Sequence, residues 1–405
     1  MNLATVSLSY LRARRLSTSL NVLLLALGVA TITLLLLATA QLEERMQRDA
    51  RGIDLVVGAK GSPMQIILSS IYQLDVPTGN ISLKQAQEVA AHRAVKKTIP
   101  LALGDNYRGY RIVGTHHDYV AHYGARLKDG RLWQAPLETV LGSEVAAATG
   151  LAMGANFFGA HGLGGRAGEH VHEMHPYRVV GLLAPTGTVV DRVVLTDVAS
   201  VWAVHADQYD IKDVARIAEL MPAEEKEYTA LLVQYATPLA AATLPRYINQ
   251  NSDMQAASPA YETARLFTII GVGVDVLRGF ALVLILAAGL SVFNALYNAL
   301  SERRYDLAVM RTLGASPAKL MSLMLFEGLL LALFGSLLGF ALGHALTELL
   351  GYALAQARQV AISGMTWVNE ELWLLGFALG VGVIAALLPA WRAYRTDVAA
   401  TLARG

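Results

Sequence analysis

Cysteine is absent from all 405 residues, which excludes disulfides, thiolate metal sites and cysteine nucleophiles and leaves the redox compartment undetermined. Charge is scarce too: 16% of residues are charged against 54% hydrophobic, and a formal net charge of +1 offers no basic surface for nucleic acid. No G-x-x-x-x-G-K-[ST] phosphate loop occurs. The run Gly58-Ala59-Lys60-Gly61-Ser62 lacks that spacing and reads as a tight turn rather than an anion nest. A mean hydropathy of +0.41 is that of an integral membrane protein, while the length leaves room for a folded soluble domain.

What the chain has in quantity is apolar length. Residues 16–40, 279–300, 318–346 and 372–391 are each able to cross a hydrocarbon core of about 30 Å, which takes roughly 20 helical residues. Basic residues orient them. Arg12, Arg14 and Arg15 precede the first run, Arg303, Arg304, Arg311 and Lys319 lie between the second and third, and Arg392, Arg395 and Arg404 follow the fourth. The link 347–371 sets only Arg358 against Glu348, Glu370 and Glu371. By the positive-inside rule both termini are cytoplasmic and residues 41–278 lie outside. The first run also has the features of a secretory signal ending at Ala38-Thr39-Ala40, but it is longer than such signals and continues into Leu42-Glu43-Glu44-Arg45-Met46, so an uncleaved anchor is expected.

Between the first two runs strand and helix patterns alternate. Residues 53–57, 107–113, 177–183, 189–195 and 228–235 are β-rich; 82–92, 143–151, 197–206 and 239–248 are helical, with Ser82 and Gln85 spaced as a capping box. An α/β extracytoplasmic domain follows, with a Gly-rich loop at 154–168. From Ser258 a helical pattern continues to Leu300, about 60 Å if unbroken, so its first half stands outside the membrane as a stalk. Asp275 and Arg278 can pair on it; a break near Gly271 and Gly273 gives two helices instead.

The charged stretch 302–317 reads as a short helix between the second and third runs. Leu307, Met310 and Leu313 share a face at three-residue spacing, while Arg303, Arg304, Asp306 and Arg311 are free to point to water or to a partner. Gly314 can end the helix in a left-handed conformation, and Ser316-Pro317 can open the next. In the third run Gly335, Gly339 and Gly343 form a small-residue stripe for helix packing, whose partner the spacing does not specify. Glu327, inside the same run, reads as structural, hydrogen-bonded to Asn294 or Asn298 of the second. Pro389 kinks or ends the fourth run.

Glu302-Arg303-Arg304-Tyr305-Asp306-Leu307-Ala308-Val309-Met310-Arg311-Thr312-Leu313-Gly314-Ala315 resembles the coupling segment of the MacB/FtsX family of ABC-transporter permeases, almost residue for residue. The Glu327-Gly328 pair and the Pro389-Ala390-Trp391-Arg392-Ala393 exit resemble the same family, as do Val179-Val180-Gly181-Leu182-Leu183 and 191–196 in the outer region; Asp397-Val398 departs from the family's Asp-Pro. The resemblance implies an α-helical membrane protein with four transmembrane helices and a MacB-like α/β periplasmic core between the first and second. It divides the chain into 1–45 (amino terminus and first helix), 46–257 (outer domain), 258–300 (stalk and second helix), 301–317 (coupling helix), 318–346 (third helix), 347–371 (external loop), 372–391 (fourth helix) and 392–405 (tail). It also implies a multi-pass protein of the bacterial inner membrane, without catalytic residues or cofactor of its own. ATP and Mg²⁺ are then handled by a cytoplasmic ATPase on another chain. Glu302, Arg303, Arg304, Asp306, Leu307, Met310, Arg311, Leu313 and Gly314 face that ATPase, and the implied partners are a second permease copy, identical or related, lipid and a periplasmic protein. Export or extraction, an FtsX-like role in signalling to a periplasmic partner, and divalent-metal transport all remain open.

Histidine is the remaining unusual feature. Seven of ten lie between 116 and 175, and His161, His170, His172 and His175 share one loop with Glu169 and Glu173. This loop is either a solvated polar segment or a chelator of zinc or another borderline divalent ion. His116, His117 and His122 near Asp118 form a weaker second group.

Overall fold

The computed structural model describes residues 3–162, 175–205, 214, 216–356 and 362–395, and the chain divides into two compact units, Met1–Leu42 with Ile270–Gly405, and Glu43–Ile269.

The first unit is helical. Four helices are long and apolar enough to cross a membrane: Arg15–Asp49, Pro259–Glu302, Pro317–Gln356 and Glu370–Tyr394, referred to below as the first to fourth long helices. Leu3–Ala13 and Arg304–Thr312 are short companions. The second long helix is continuous through Gly271 and Gly273, where a Cβ would meet nothing, and its Asp275 and Arg278 pair at 3.2 Å. Pro389 does not end the fourth, which runs on to Tyr394. Leu25, Val29, Ala281, Ile285, Ala288, Ala332, Leu374 and Ala378 make one core, with residues from all four long helices.

Glycine sets how closely these helices approach. A Cβ on Gly335, Gly339 or Gly343 would lie 2.7, 2.6 or 2.6 Å from Leu25, Val29 or Thr33, so the stripe packs on the first long helix of the same chain. Gly28 meets Ile285 in the same way at 2.7 Å, and Gly382 meets Ala332 at 2.4 Å. Without a hydrophobic drive between helices in lipid, this closeness supplies the dispersion energy that holds them together.

The second unit is α/β. Its main sheet has eleven strands among the described residues, nine of them in the order Met254–Ala257, Leu55–Ala59, Ala230–Tyr235, Val95–Tyr107, Tyr110–Thr115, Val194–Asp197, Glu138–Leu141, Tyr177–Leu183 and Leu127–Gly130. Asn156–Phe157 and Ala160–His161 attach to Tyr177–Leu183 and Val95–Tyr107. Two pairings are parallel, 194–197 on 110–115 and 138–141 on 177–183. The capping box forms at Ser82 and Gln85.

Several elements differ from the sequence pattern for local reasons. The β-rich run 107–113 is the far half of a hairpin: Arg108 and Gly109 take φ of 49° and 83°, turning the chain between 95–107 and 110–115. Within 189–195 the residues Val189–Arg192 form a 3₁₀ turn, and the strand starts at Val194. The Gly58–Ser62 run is the end of one strand followed by a helix start. There Ser62 caps Pro63–Ser70, with Pro63 in the first turn.

The helix ends in this unit are tied to segments that lie between its strands. Asp49, last residue of the first long helix, accepts the Val189 N–H at 2.6 Å and pairs with Arg192 at 3.0 Å. Thr263, near the start of the second, bonds the Tyr72 hydroxyl at 2.6 Å.

Candidate functional site

The segment after the second long helix folds as a helical hairpin. Arg304–Thr312 is helical, Gly314 takes φ of 94° and breaks it, and Ser316 accepts the Lys319 N–H to open the third long helix. Leu307 and Ala308 are fully buried, in or beside a cluster with Leu300, Leu320, Leu323, Met324, Ala390 and Ala393. This core holds the hairpin against the ends of three long helices.

Arg303 does not point to water. Its guanidinium lies 3.0 Å from Glu327 and 3.7 Å from the centre of the Tyr10 ring, and it is only 7% exposed. Glu327 therefore takes Arg303 as its partner instead of Asn294 or Asn298, which are exposed and bond to each other at 3.4 Å. A carboxylate buried among apolar helices needs an opposite charge more than an amide dipole. Arg311 also turns inward, donating to the Ala315 carbonyl at 3.1 Å across the break after the helix. Leu313 does not continue the buried face of Leu307 and Met310. Helical geometry stops at Thr312, and Leu313 stands 82% exposed.

What remains outward on the hairpin is Glu302, Arg304, Tyr305, Asp306, Thr312, Leu313 and Gly314. Glu302 forms an ion pair with Arg14. The exposed surface is thus two bulky side chains, Tyr305 and Leu313, with Arg304 and Asp306 beside Tyr305, on a base fixed by the Arg303–Glu327 pair. Such a knob can be gripped by a protein groove and can pass a push to the helices on either side.

At the other end of the third long helix, His344 is bonded by Glu371 at 2.9 Å and by the Gly364 carbonyl at 2.6 Å, and stacks on Trp367. Glu348 accepts the Gly364 N–H at 2.6 Å, and Gln41 exchanges two hydrogen bonds with Ser363. These contacts tie the first, third and fourth long helices into one block.

In the second unit the histidines separate by partner. His117 bonds the Trp133 carbonyl, Asp118 pairs with Lys97, and His122 bonds the Arg51 carbonyl, burial lowering its pKa. Glu169, His170, His172 and Glu173 lie outside the described residues. His175 is buried just before the strand Tyr177–Leu183. His161 instead stands beside Asp105 and His205, whose ligand atoms all lie within 4.8 Å of one another. Asp105 and His205 gave no sequence signal, because each is a lone polar residue far along the chain from the other members.

Four apolar helices, a hairpin with an anchored charged segment and an α/β unit between the first and second in chain order define a membrane permease. Residues 18–251 match the profile of the MacB-like periplasmic core domain and residues 278–398 that of the FtsX-like permease C-terminal region. The chain belongs to this family and is an ABC-transporter permease of the MacB, LolC and FtsX type. It is 22% identical to the lipoprotein-releasing system transmembrane protein LolC of Neisseria meningitidis serogroup B, across 98% of each chain. It is 29% identical to the ABC transporter permease YknZ of Bacillus subtilis, over 37% of this chain and 35% of that one. The periplasmic region of MacB from Actinobacillus actinomycetemcomitans covers 54% of this chain and 95% of its own, with 12% identity and a TM-score of 0.34. Four spans with a MacB-like periplasmic domain fit an inner-membrane protein, and permeases of this type work with a cytoplasmic ABC ATPase.

Proposed function

We propose that this chain is the force-transmitting subunit of an ABC transporter: a separate cytoplasmic ATPase, using ATP and Mg²⁺, grips the hairpin at 304–314 and so moves the unit 43–269 outside the membrane. The observation that carries this reading is the contrast within the hairpin. Arg303 and Leu307 are buried and fix it to the long helices, while Arg304, Tyr305, Asp306 and Leu313 are left outward, with no side-chain hydrogen bond or ion pair among the described residues. Support also comes from the first and second long helices, each unbroken into residues that Asp49 and Thr263 bond to the α/β unit, at Val189 and Tyr72. A rigid helix carries displacement where a loop absorbs it.

In this reading both termini and the hairpin are cytoplasmic, as the basic residues require, and the outer domain is inserted between the first two spans. Two copies, identical or related, flank one pair of ATPases. The relative aligned over almost the whole chain is named for releasing lipoprotein, so extraction of a lipid-anchored or amphipathic cargo toward a periplasmic acceptor is the favoured work.

The test is copurification from native membranes with reporter fusions as a companion. A tagged permease is expected to bring down a chain bearing a phosphate loop in equal amount. Reporters after Lys128 and after Ser316 are expected to read outside and inside. Recovery of the permease without any ATPase, or reversed labelling at either site, overturns the proposal.

A further inference from the structure

The strand Val95–Tyr107 loses its regular pairing with Tyr110–Thr115 between Leu103 and Asn106. Such an irregularity re-aims side chains. Here it sets Asp105, 2% exposed, opposite His161 of the short strand Ala160–His161. Asn106 fixes that strand by donating to the carbonyls of Ala160 and Gly162, both at 3.0 Å. The third member, His205, closes the helix Val198–Val204. Gly104 leaves room for its ring, since a Cβ there would lie 3.3 Å from His205 Cε1.

We infer that Asp105, His161 and His205 form a binding site for one divalent cation of the zinc class. His161 Nδ1 lies 3.3 Å and His205 Nε2 3.6 Å from the same carboxylate oxygen, Asp105 Oδ1. Two donors bound tetrahedrally at about 2.0–2.1 Å from a zinc ion are roughly 3.3–3.4 Å apart, close to both histidine–carboxylate distances, and all three ligand atoms lie within 4.8 Å of one another. The tautomer of His205 is also set for ligation. Its Nδ1 lies 2.8 Å from the Val201 carbonyl, which only accepts, so Nδ1 carries a hydrogen and, in the neutral ring, Nε2 on the Asp105 side is the ligating atom. A backbone carbonyl holding the far ring nitrogen is the usual support of a metal-bound imidazole.

The donor set chooses the ion. Two imidazoles and one carboxylate suit zinc and its neighbours, whereas calcium and magnesium take oxygen ligands. Asp105 forms the buried floor, while the side chains of His161 and His205 are 47% and 37% exposed. A bound ion would clamp three segments distant in sequence and stabilise the unit by mass action. None of this depends on the hairpin, and the binding is measurable without an ATPase.

The experiment uses the full-length permease in detergent, purified on a tag without histidine and stripped with chelator. Zinc is titrated calorimetrically, and Co²⁺ is added as a spectroscopic probe of geometry. One equivalent is expected per chain, with cobalt absorption of tetrahedral or five-coordinate intensity and a rise in thermal midpoint on zinc addition. His161→Ala and His205→Ala should each weaken zinc at least about tenfold, the loss that even an outer-shell change can bring. Because both side chains are partly exposed, these variants keep the fold where Asp105→Asn endangers it. A His170→Ala/His172→Ala variant should bind as the unaltered chain does. No binding, undiminished affinity in the His161→Ala/His205→Ala double variant, or loss confined to the His170→Ala/His172→Ala variant overturns the inference.

Discussion

Arg303 and Glu327 form a buried ion pair at 3.0 Å, with the ring of Tyr10 covering the guanidinium at 3.7 Å. Three elements meet there: the helix Leu3–Ala13, the start of the hairpin and the third long helix. The pair joins the start of the hairpin to the third long helix.

Removing one partner leaves the other charge uncompensated. Glu327→Ala or Arg303→Ala is expected to cost about 3–5 kcal/mol, read as a lowered thermal midpoint and poor yield. Replacing both with apolar residues, Arg303→Met with Glu327→Leu, should recover most of that stability. A double variant no better than the sum of the single ones would show that the pair is not coupled.

The outward face of the hairpin should behave in the opposite way. Leu313→Asp and Arg304→Glu change groups with no buried contact, so thermal midpoint and oligomeric state should stay within measurement error. ATPase copurification, or stimulation of hydrolysis by the permease, should fall at least about tenfold, as for loss of an interface anchor. Arg311→Glu is a poorer probe because Arg311 supports the Ala315 carbonyl and its loss disturbs the hairpin itself. Unchanged ATPase binding in both outward variants would remove the hairpin from the docking surface.

Gly339 packs against Val29, and a Cβ there would also lie 2.9 Å from the Ala26 carbonyl. Gly339→Val is expected to lower stability by about 1–3 kcal/mol through overpacking. Gly380→Ala, at a position where a Cβ meets nothing within 4 Å, is the matched control. Thermal unfolding in detergent separates them, and equal midpoints would place the stripe elsewhere than at this interface.

Glu138 accepts from Arg131 at 2.7 Å and from the Gln134 N–H at 2.8 Å, and the Arg131 bond first of all pulls its pKa down to about 2. A carboxyl depressed on folding stabilises the native state above its unfolded pKa of about 4.3, and that contribution fades as pH falls toward 2. Solvent at this site screens the pair, so the effect is small. The midpoint difference between the unaltered chain and Glu138→Gln should be constant from pH 8 to about pH 5 and shrink by about pH 3. A difference that grows on acidification contradicts the assignment.

The four apolar helices, the hairpin with its Gly314 break and the Ser82–Gln85 cap were legible in the sequence because each rests on neighbours within a few residues: length, period, a left-handed glycine, a reciprocal cap. The family followed above all from the contiguous segment 302–315. Partner choice was not legible. Spacing along the chain does not choose between Arg303 and the asparagines of the second long helix as partner of Glu327, and only the packed unit shows that Arg303, under Tyr10, reaches it. The glycine stripe announced a close contact, and tertiary structure named Leu25, Val29 and Thr33 as its other side. Histidine clustering along the chain drew attention to 161–175, and among the described residues His161 lies with Asp105 and His205. Sequence determines what a residue can do locally, through backbone geometry and side-chain chemistry; which charge, ring or ligand it meets is set when strands and helices far apart in the chain pack, because burial, not proximity in sequence, makes an unmet partner costly.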